Sequence, residues 1–229
     1  PWVRVRTVDG LERLLSVREV FREARRIERM AGESPQQDIA VLRVLLAAWW
    51  SAHRDDPRLS GWNAREARRW WLAQFAGAED EQGLAVLDDY WERVRPRWAL
   101  LGARAPFMQV ADLRTAKDEW ASVRKLVPDA ESPYFTLRAG AAAESLPLDE
   151  AARWLVHLQA WNYSGIKSGA VGDPRVKGGR GYPIGTGWSG KAGGVVLHGR
   201  NLAETLALNT PVNAVFTQNS DSDLPVWER

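Results

Sequence analysis

The sequence of 229 residues contains no cysteine. That excludes a disulfide framework and any thiolate-bound zinc, and makes a reducing cytoplasm the expected location. Histidine is scarce, with three in the chain, and none of His53, His157 and His198 has a His, Asp or Glu neighbour at metal-ligand spacing, so neither a metal nor another cofactor is expected. No apolar run approaches the roughly 20 residues that cross a bilayer, and the opening PWVRVRTVDG lacks a signal-peptide core, so a soluble chain with no membrane partner is expected. Excess charge is missing too: 31 basic and 29 acidic residues leave a formal +2, and attraction for a polyanion has to come from local clustering. Catalytic signatures are equally thin. Asp88 and Asp89 are adjacent in a helical pattern and point roughly 100° apart, which suits a solvated face better than a shared substrate. In GRGYPIGTGWSGK the Gly190-Lys191 pair is followed by Ala192, where a phosphate-binding loop of the Walker type needs Ser or Thr. No enzyme is expected.

What is present is a chain with 45% hydrophobic residues and 13 tryptophans, enough apolar material for a sizeable core. PWVRVRTVDG alternates Val3 and Val5 with Arg4 and Arg6 and reads as a strand before an Asp9-Gly10 turn. SVREVFREARRIERMAG places Val17, Val20, Phe21, Ala24 and Ile27 at helical spacing up to Gly32. Ser34-Pro35-Gln36-Gln37 has capping-box form and opens a near-continuous apolar run from Ile39 to Trp50, read as a buried helix. NAREARRWWLAQFAG and EQGLAVLDDYWERVRPRWAL are two more helical patterns, the second broken at Pro96. Residues 131–148 have weak periodicity and are expected as a loop. DEAARWLVHLQAWN puts Ala151, Trp154, Leu155, Leu158 and Trp161 on one helical face. VVLHG reads as a short strand, and NLAETLALN as a short helix capped by Asn201 and stopped by Pro211. The fold class is α+β: a mostly α-helical domain with a few short strands and a long glycine-rich basic loop region.

That loop region, SGIKSGAVGDPRVKGGRGYPIGTGWSGKAGG, holds most of the 19 glycines and five cations, Lys167, Arg175, Lys177, Arg180 and Lys191, against one acid, Asp173. Glycine tolerates positive φ and carries no side chain, so such a loop can lay its backbone against a phosphate or in a groove. The same composition also suits an exposed irregular loop whose cations serve solubility.

Motifs in chain order separate these readings. APFMQV, LQAWN, GIKSGAVGDPRVKGG, GRNLAETLALN and the closing DLPVW together resemble the CasA family, the large subunit of the type I-E CRISPR surveillance complex Cascade. The opening PWVRV and the run QQDIAVLRVLL are also similar to that family, and the resemblance spans the chain. It implies a non-catalytic subunit of an RNA-guided antiviral complex that inspects the flanking motif of double-stranded target DNA from the minor groove, helps start strand opening and docks a helicase-nuclease, while guide pairing reads sequence. The partners it implies are double-stranded DNA, the CRISPR guide RNA, the other Cascade subunits and the helicase-nuclease. By position after LQAWN, the DNA-sensing loop falls on Gly165, Ile166, Lys167, Ser168 and Gly169, with Arg175, Lys177, Arg180 and Lys191 beside it. A second loop over residues 131–145, with Tyr134, Phe135 and Arg138, is implied to meet the guide RNA and neighbouring subunits, its alternative being a local apolar anchor. The resemblance also implies that residues 1–229 are a single N-terminal domain cut short of its own remainder and of a C-terminal helical bundle. Two other classes stay open: a protein-interaction scaffold without DNA contact, and a phosphate-binding enzyme.

Overall fold

The computed structural model describes residues 1–54, 63, 65–66, 69–70, 81–131, 138, 140–163, 165–181, 187–190, 192–210 and 224–229. These fall into two compact units, one of residues 1–99 with 195–229 and one of residues 100–194. The α+β class holds: helices dominate, and the strands form two small antiparallel sheets. The segment NAREARRWWLAQFAG lies mostly outside the described residues.

The first unit is built on strand β1 (Val3–Thr7), the centre of a three-stranded sheet ordered β2-β1-β3 with β2 (Glu12–Leu15) and β3 (Ile27–Met30). Alternation does the sorting: Val3 and Val5 are fully buried, while Arg4 reaches Glu12 at 2.6 Å and Arg6 reaches Glu28 at 3.2 Å. Helix α1 (Val17–Arg22) begins at a reciprocal capping box, with the Ser16 N–H donating to the Glu19 carboxylate at 2.7 Å and the Glu19 N–H donating to the Ser16 hydroxyl at 3.3 Å. It stops after six residues instead of running on to Gly32. The reason is non-local: β1 has a second edge to fill, and Ile27 and Met30 pair with Thr7 and Val5 there, satisfying backbone groups that a longer helix would have left orphaned on the sheet.

Helix α2 (Pro35–His53) starts as its sequence requires, Ser34 accepting the Gln37 N–H at 3.2 Å and Pro35 occupying the first turn. The Gln37 side chain reaches past the cap to accept from the Glu33 N–H at 3.0 Å. Ala40, Val41, Leu42, Val44, Leu45, Leu46 and Ala48 are all buried, so this is the central helix of the unit. It packs on helix α3 (Glu81–Val94), which gives way at Pro96 to a 3₁₀ turn over Arg95–Arg97. Asp88 of α3 is half-buried and ion-paired on the surface: Arg18 donates to it at 2.9 Å and Arg22 at 2.6 Å, pinning α1 to α3, while Asp89 beside it is exposed. The C-terminal turn Val226–Glu228 is held by a buried chain in which the Trp227 indole donates to the Tyr90 hydroxyl at 2.6 Å and that hydroxyl donates to Glu228 at 2.7 Å. Burial is the main cause of an upward shift of the Tyr90 phenol, reinforced by its bond to Glu228. Trp98 packs between Trp91 and Trp227, with ring centres 4.6 and 4.9 Å away.

The VVLHG segment is not a strand: residues 195–199 have no ladder partner among the described residues. The side chain of Asn209 takes that place, accepting the Leu197 N–H at 3.1 Å and donating to the Leu197 carbonyl at 2.8 Å. Asn209 follows the helix Leu202–Leu208, whose N-cap Asn201 accepts the Glu204 N–H at 3.0 Å.

The second unit contains the short helix α4 (Pro128–Glu131), helix α5 (Leu148–Trp161) and the 3₁₀ turns Val123–Leu126 and Gly140–Ala143. Val127, Ala130 and Trp154 form a core flanked by Leu126 and Leu146. The buried side of α5 is rotated from the expected one: Trp154 and Leu155 face inward, but so do Ala152, Val156 and Ala160, and Arg153, which pairs with Asp149 at 3.0 Å. Ala151, Leu158 and Trp161 are only half-buried.

Candidate nucleic-acid interface

A helix end leaves its last carbonyls without intrahelical donors. At the end of α5 these are met by the far side of the glycine-rich stretch: the Trp188 N–H donates to the Gln159 carbonyl at 3.1 Å, the Ser189 N–H to Ala160 at 2.9 Å and the Gly187 N–H to Asn162 at 2.7 Å. The two backbones run so close that a Cβ on Gly187 would lie 2.7 Å from the Trp161 nitrogen and nearer still to the Ala160 carbonyl. Gly187 is therefore glycine because of this contact. The chain that leaves α5 after Trp161 returns to the same point and is fastened there.

Between the two ends, part of the expected loop is a sheet. Strands β4 (Lys167–Ser168), β5 (Val176–Lys177) and β6 (Arg180–Gly181) are antiparallel in the order β4-β6-β5. β5 and β6 are joined by Gly178 and Gly179, at φ +58° and +73°, the two-residue hairpin turn whose twist matches the strands and whose dihedrals favour glycine. The register sets Ser168 opposite Arg180 and Arg180 opposite Lys177 on one face, and Lys167, Gly181 and Val176 on the other. Ser168, Lys177 and Arg180 are exposed; Lys167, Gly181 and Val176 are half-buried. The sheet is tied to the rest of its unit by the bridge Thr115–Ala170 and the bond from the Val171 N–H to the Arg114 carbonyl at 2.9 Å.

This pairing separates residues that the sequence grouped. Lys167 has its ammonium 3.3 Å from the Asn162 side-chain oxygen and 4.8 Å from the centre of the Tyr163 ring, a cation–π geometry. Gly169 is buried, its N–H bonded to the Gly179 carbonyl at 2.9 Å, and a Cβ there would sit 2.5 and 2.8 Å from the Val176 methyls. Packing gives Gly169 its own reason to be glycine. Gly165 differs: among the described residues a Cβ would meet only the edge of the Tyr163 ring, at 3.6 Å, in ordinary contact. Beside it Ile166 is 58% exposed. Arg175 is occupied by Asp173, to which its Nε donates at 2.9 Å and its terminal nitrogen at 2.8 Å; this bond, with the backbone N–H of Arg175, holds the Asp173 carboxyl down at about 2. Among the described residues neither the Lys177 nor the Arg180 side chain has a hydrogen-bond or ion-pair partner. Lys191 lies outside the described residues.

Of the second candidate loop, Tyr134 and Phe135 lie outside the described residues. Arg138 pairs with Glu150 in the first turn of α5, a carboxylate that also accepts the Trp154 indole N–H at 3.0 Å. The motif PFMQ has a structural role that the sequence reading missed. Phe107 is buried, Met108 sits at φ +53°, and the Met108 carbonyl accepts the side chain of Gln159, from LQAWN, at 3.1 Å. The two motifs are hydrogen-bonded neighbours that brace the helix from which the basic sheet departs. The glutamine in each was the available signal, since Gln109 likewise donates to a main-chain carbonyl, that of Leu100, at 2.8 Å.

Known proteins share this fold and sequence. Cse1 of Thermobifida fusca has a solved structure that superposes with a TM-score of 0.81 at 39% identity, covering all of this chain and 42% of its own. The protein CasA/Cse1 of Thermus thermophilus is 29% identical over 236 residues, covering all of this chain and 41% of its own. A solved CRISPR RNA-guided surveillance complex contains a chain of the same fold, with a TM-score of 0.69 at 21% identity. The chain thus spans about two-fifths of the length of these relatives. The family model for CRISPR-associated protein Cse1 matches residues 1–229, and with motif order, fold and match in agreement, the chain belongs to the CRISPR-associated Cse1 (CasA) family.

Proposed function

We propose that this chain is part of a non-catalytic subunit of an RNA-guided DNA surveillance complex, assembled with guide RNA and the other Cascade subunits. In this reading residues 165–169 approach the flanking motif of duplex target DNA from the minor groove, before strand opening and docking of a helicase-nuclease. The observation that carries the reading is the Cse1 family match over residues 1–229. Local geometry supports it. The minor groove is only about 6 Å wide, and Gly165 and exposed Ile166 form a thin edge beside a lysine already oriented by Asn162 and Tyr163. Among the described residues a Cβ on Gly165 would meet only the Tyr163 ring edge in ordinary contact, and no left-handed φ demands glycine there, which suits close approach by an outside molecule.

The test is reconstitution with guide RNA and the other subunits, followed by binding to duplex targets with varied flanking motifs. Gly165→Val should assemble normally and lose discrimination among motifs, and Lys167→Ala should weaken binding to all of them. Normal binding by both variants refutes the loop assignment. A scaffold role without DNA contact is favoured by one observation, the 84% exposure of Trp120 with Leu101 also bare. In that case Trp120→Ala abolishes assembly while the two loop variants change nothing.

A further inference from the structure

Lys177 and Arg180 close the Gly178-Gly179 turn as directly opposed cross-strand partners. Like charges in that position repel, because the two side chains leave the same face of the hairpin only about 5 Å apart at their Cβ atoms. An acid on a neighbouring strand would relieve such a pair. Here the neighbour on the third strand is Ser168, a hydroxyl. The nearest acid in sequence, Asp173, is committed to Arg175 by two side-chain bonds and accepts the Arg175 N–H as well. Both cations are exposed, and neither has a partner among the described residues. The turn between them is open among the described residues: a Cβ on Gly178 or Gly179 would meet none of them within 4 Å.

We infer that Lys177 and Arg180, with the Ser168 hydroxyl beside them, form a clamp for the phosphodiester backbone of duplex DNA on the sheet face opposite Lys167. A phosphate between the two cations turns their mutual repulsion into two charge-assisted hydrogen bonds, and the hydroxyl supplies a third donor on the same face. The fork of Arg180 suits a phosphate's paired oxygens, while Lys177 acts as a point charge. The clamp carries no base information, since phosphate contacts position and groove contacts specify. The small sheet then divides its work by strand parity: one face grips backbone, and the edge at residues 165–167 meets the bases. This rests on the proposed DNA-inspecting role and assigns a site within it.

The experiment measures the salt dependence of duplex binding by the assembled complex, using a target of fixed flanking motif between roughly 50 and 200 mM salt. Each lost phosphate contact lowers the slope of log affinity against log salt by about 0.9, so Lys177→Ala and Arg180→Ala should each show that fall and the double variant about twice it. Exposed Arg104 serves as the control and should leave the slope unchanged on replacement by alanine. Lys177→Glu supplies the internal counter-charge that Arg180 lacks, so it should raise the melting temperature while lowering duplex affinity, a combination that a purely structural role does not produce. Motif discrimination should survive in all of these variants. An unchanged slope in the double variant, or an equal fall from Arg104→Ala, overturns the clamp. If wild-type complex forms but fails to discriminate flanking motifs, it is the underlying reading that has failed, and the two failures are thereby told apart.

Discussion

Gly187 and Gly165 belong to one glycine-rich stretch, yet the structure expects opposite behaviour from them on substitution by alanine. A methyl on Gly187 would be driven into the carbonyl of Ala160 and to 2.7 Å from the Trp161 nitrogen. Both are main-chain atoms of α5, which cannot swing aside as the tip of a side chain would. The strap must therefore lift, and with it go the three bonds from Gly187, Trp188 and Ser189 to Asn162, Gln159 and Ala160. At roughly 0.5–1.5 kcal/mol net for each, the local loss is about 2–4 kcal/mol. Hydrogen exchange followed by mass spectrometry reads this directly, because those three amides are protected only while the strap is down. At about 1.4 kcal/mol per factor of ten, they should exchange roughly 30- to 700-fold faster in Gly187→Ala. In Gly165→Ala, where among the described residues the new methyl meets only the Tyr163 ring edge at 3.6 Å, the same amides should exchange at the wild-type rate. Wild-type exchange in Gly187→Ala, or equal acceleration in both variants, would refute the idea that backbone contact fastens this segment.

Gly169→Ala should destabilise the second unit by crowding Val176, and Val176→Ala should relieve part of that cost in a double-mutant cycle; strictly additive effects would mean that the two residues are not in contact. Tyr90→Phe removes the acceptor of the Trp227 indole and the donor to Glu228 at one stroke. Losing both bonds should cost about 1–3 kcal/mol in chemical denaturation, at roughly 0.5–1.5 kcal/mol each, whereas an unchanged midpoint would remove the C-terminal turn from the folded core. The Asp173 carboxyl should titrate near 2 by NMR. Its folded value lies below the ordinary 3.8, so its contribution is complete above that ordinary value and disappears as pH falls through about 2. Arg175→Ala should bring the midpoint back toward 3.8 but not all the way, since the backbone N–H bond remains; an unmoved midpoint would show that Arg175 is not the cause.

What the amino-acid sequence determined by itself is what short-range chemistry determines. Ser34-Pro35 and Asn201 start helices because a side-chain oxygen three residues upstream satisfies an orphan N–H wherever it occurs. Pro96 ends one because it has no N–H to give. The order of PFMQ, LQAWN, the glycine stretch and GRNLAETLALN pointed to the family. The tertiary structure decided whatever depends on a partner distant in the chain. Ile27–Met30 left a helical pattern because β1 offered an open edge, and residues 195–199 lost their strand to the side-chain amide of Asn209. The same holds at the candidate interface. Read along the chain, Lys167, Arg175, Lys177 and Arg180 are one basic cluster. Strand pairing with a two-residue period places Lys167 on one face of the sheet and Lys177 with Arg180 on the other, and Asp173 occupies Arg175. Charge is written in the sequence, but the direction in which it points is set by register, and register exists only once the strands have met.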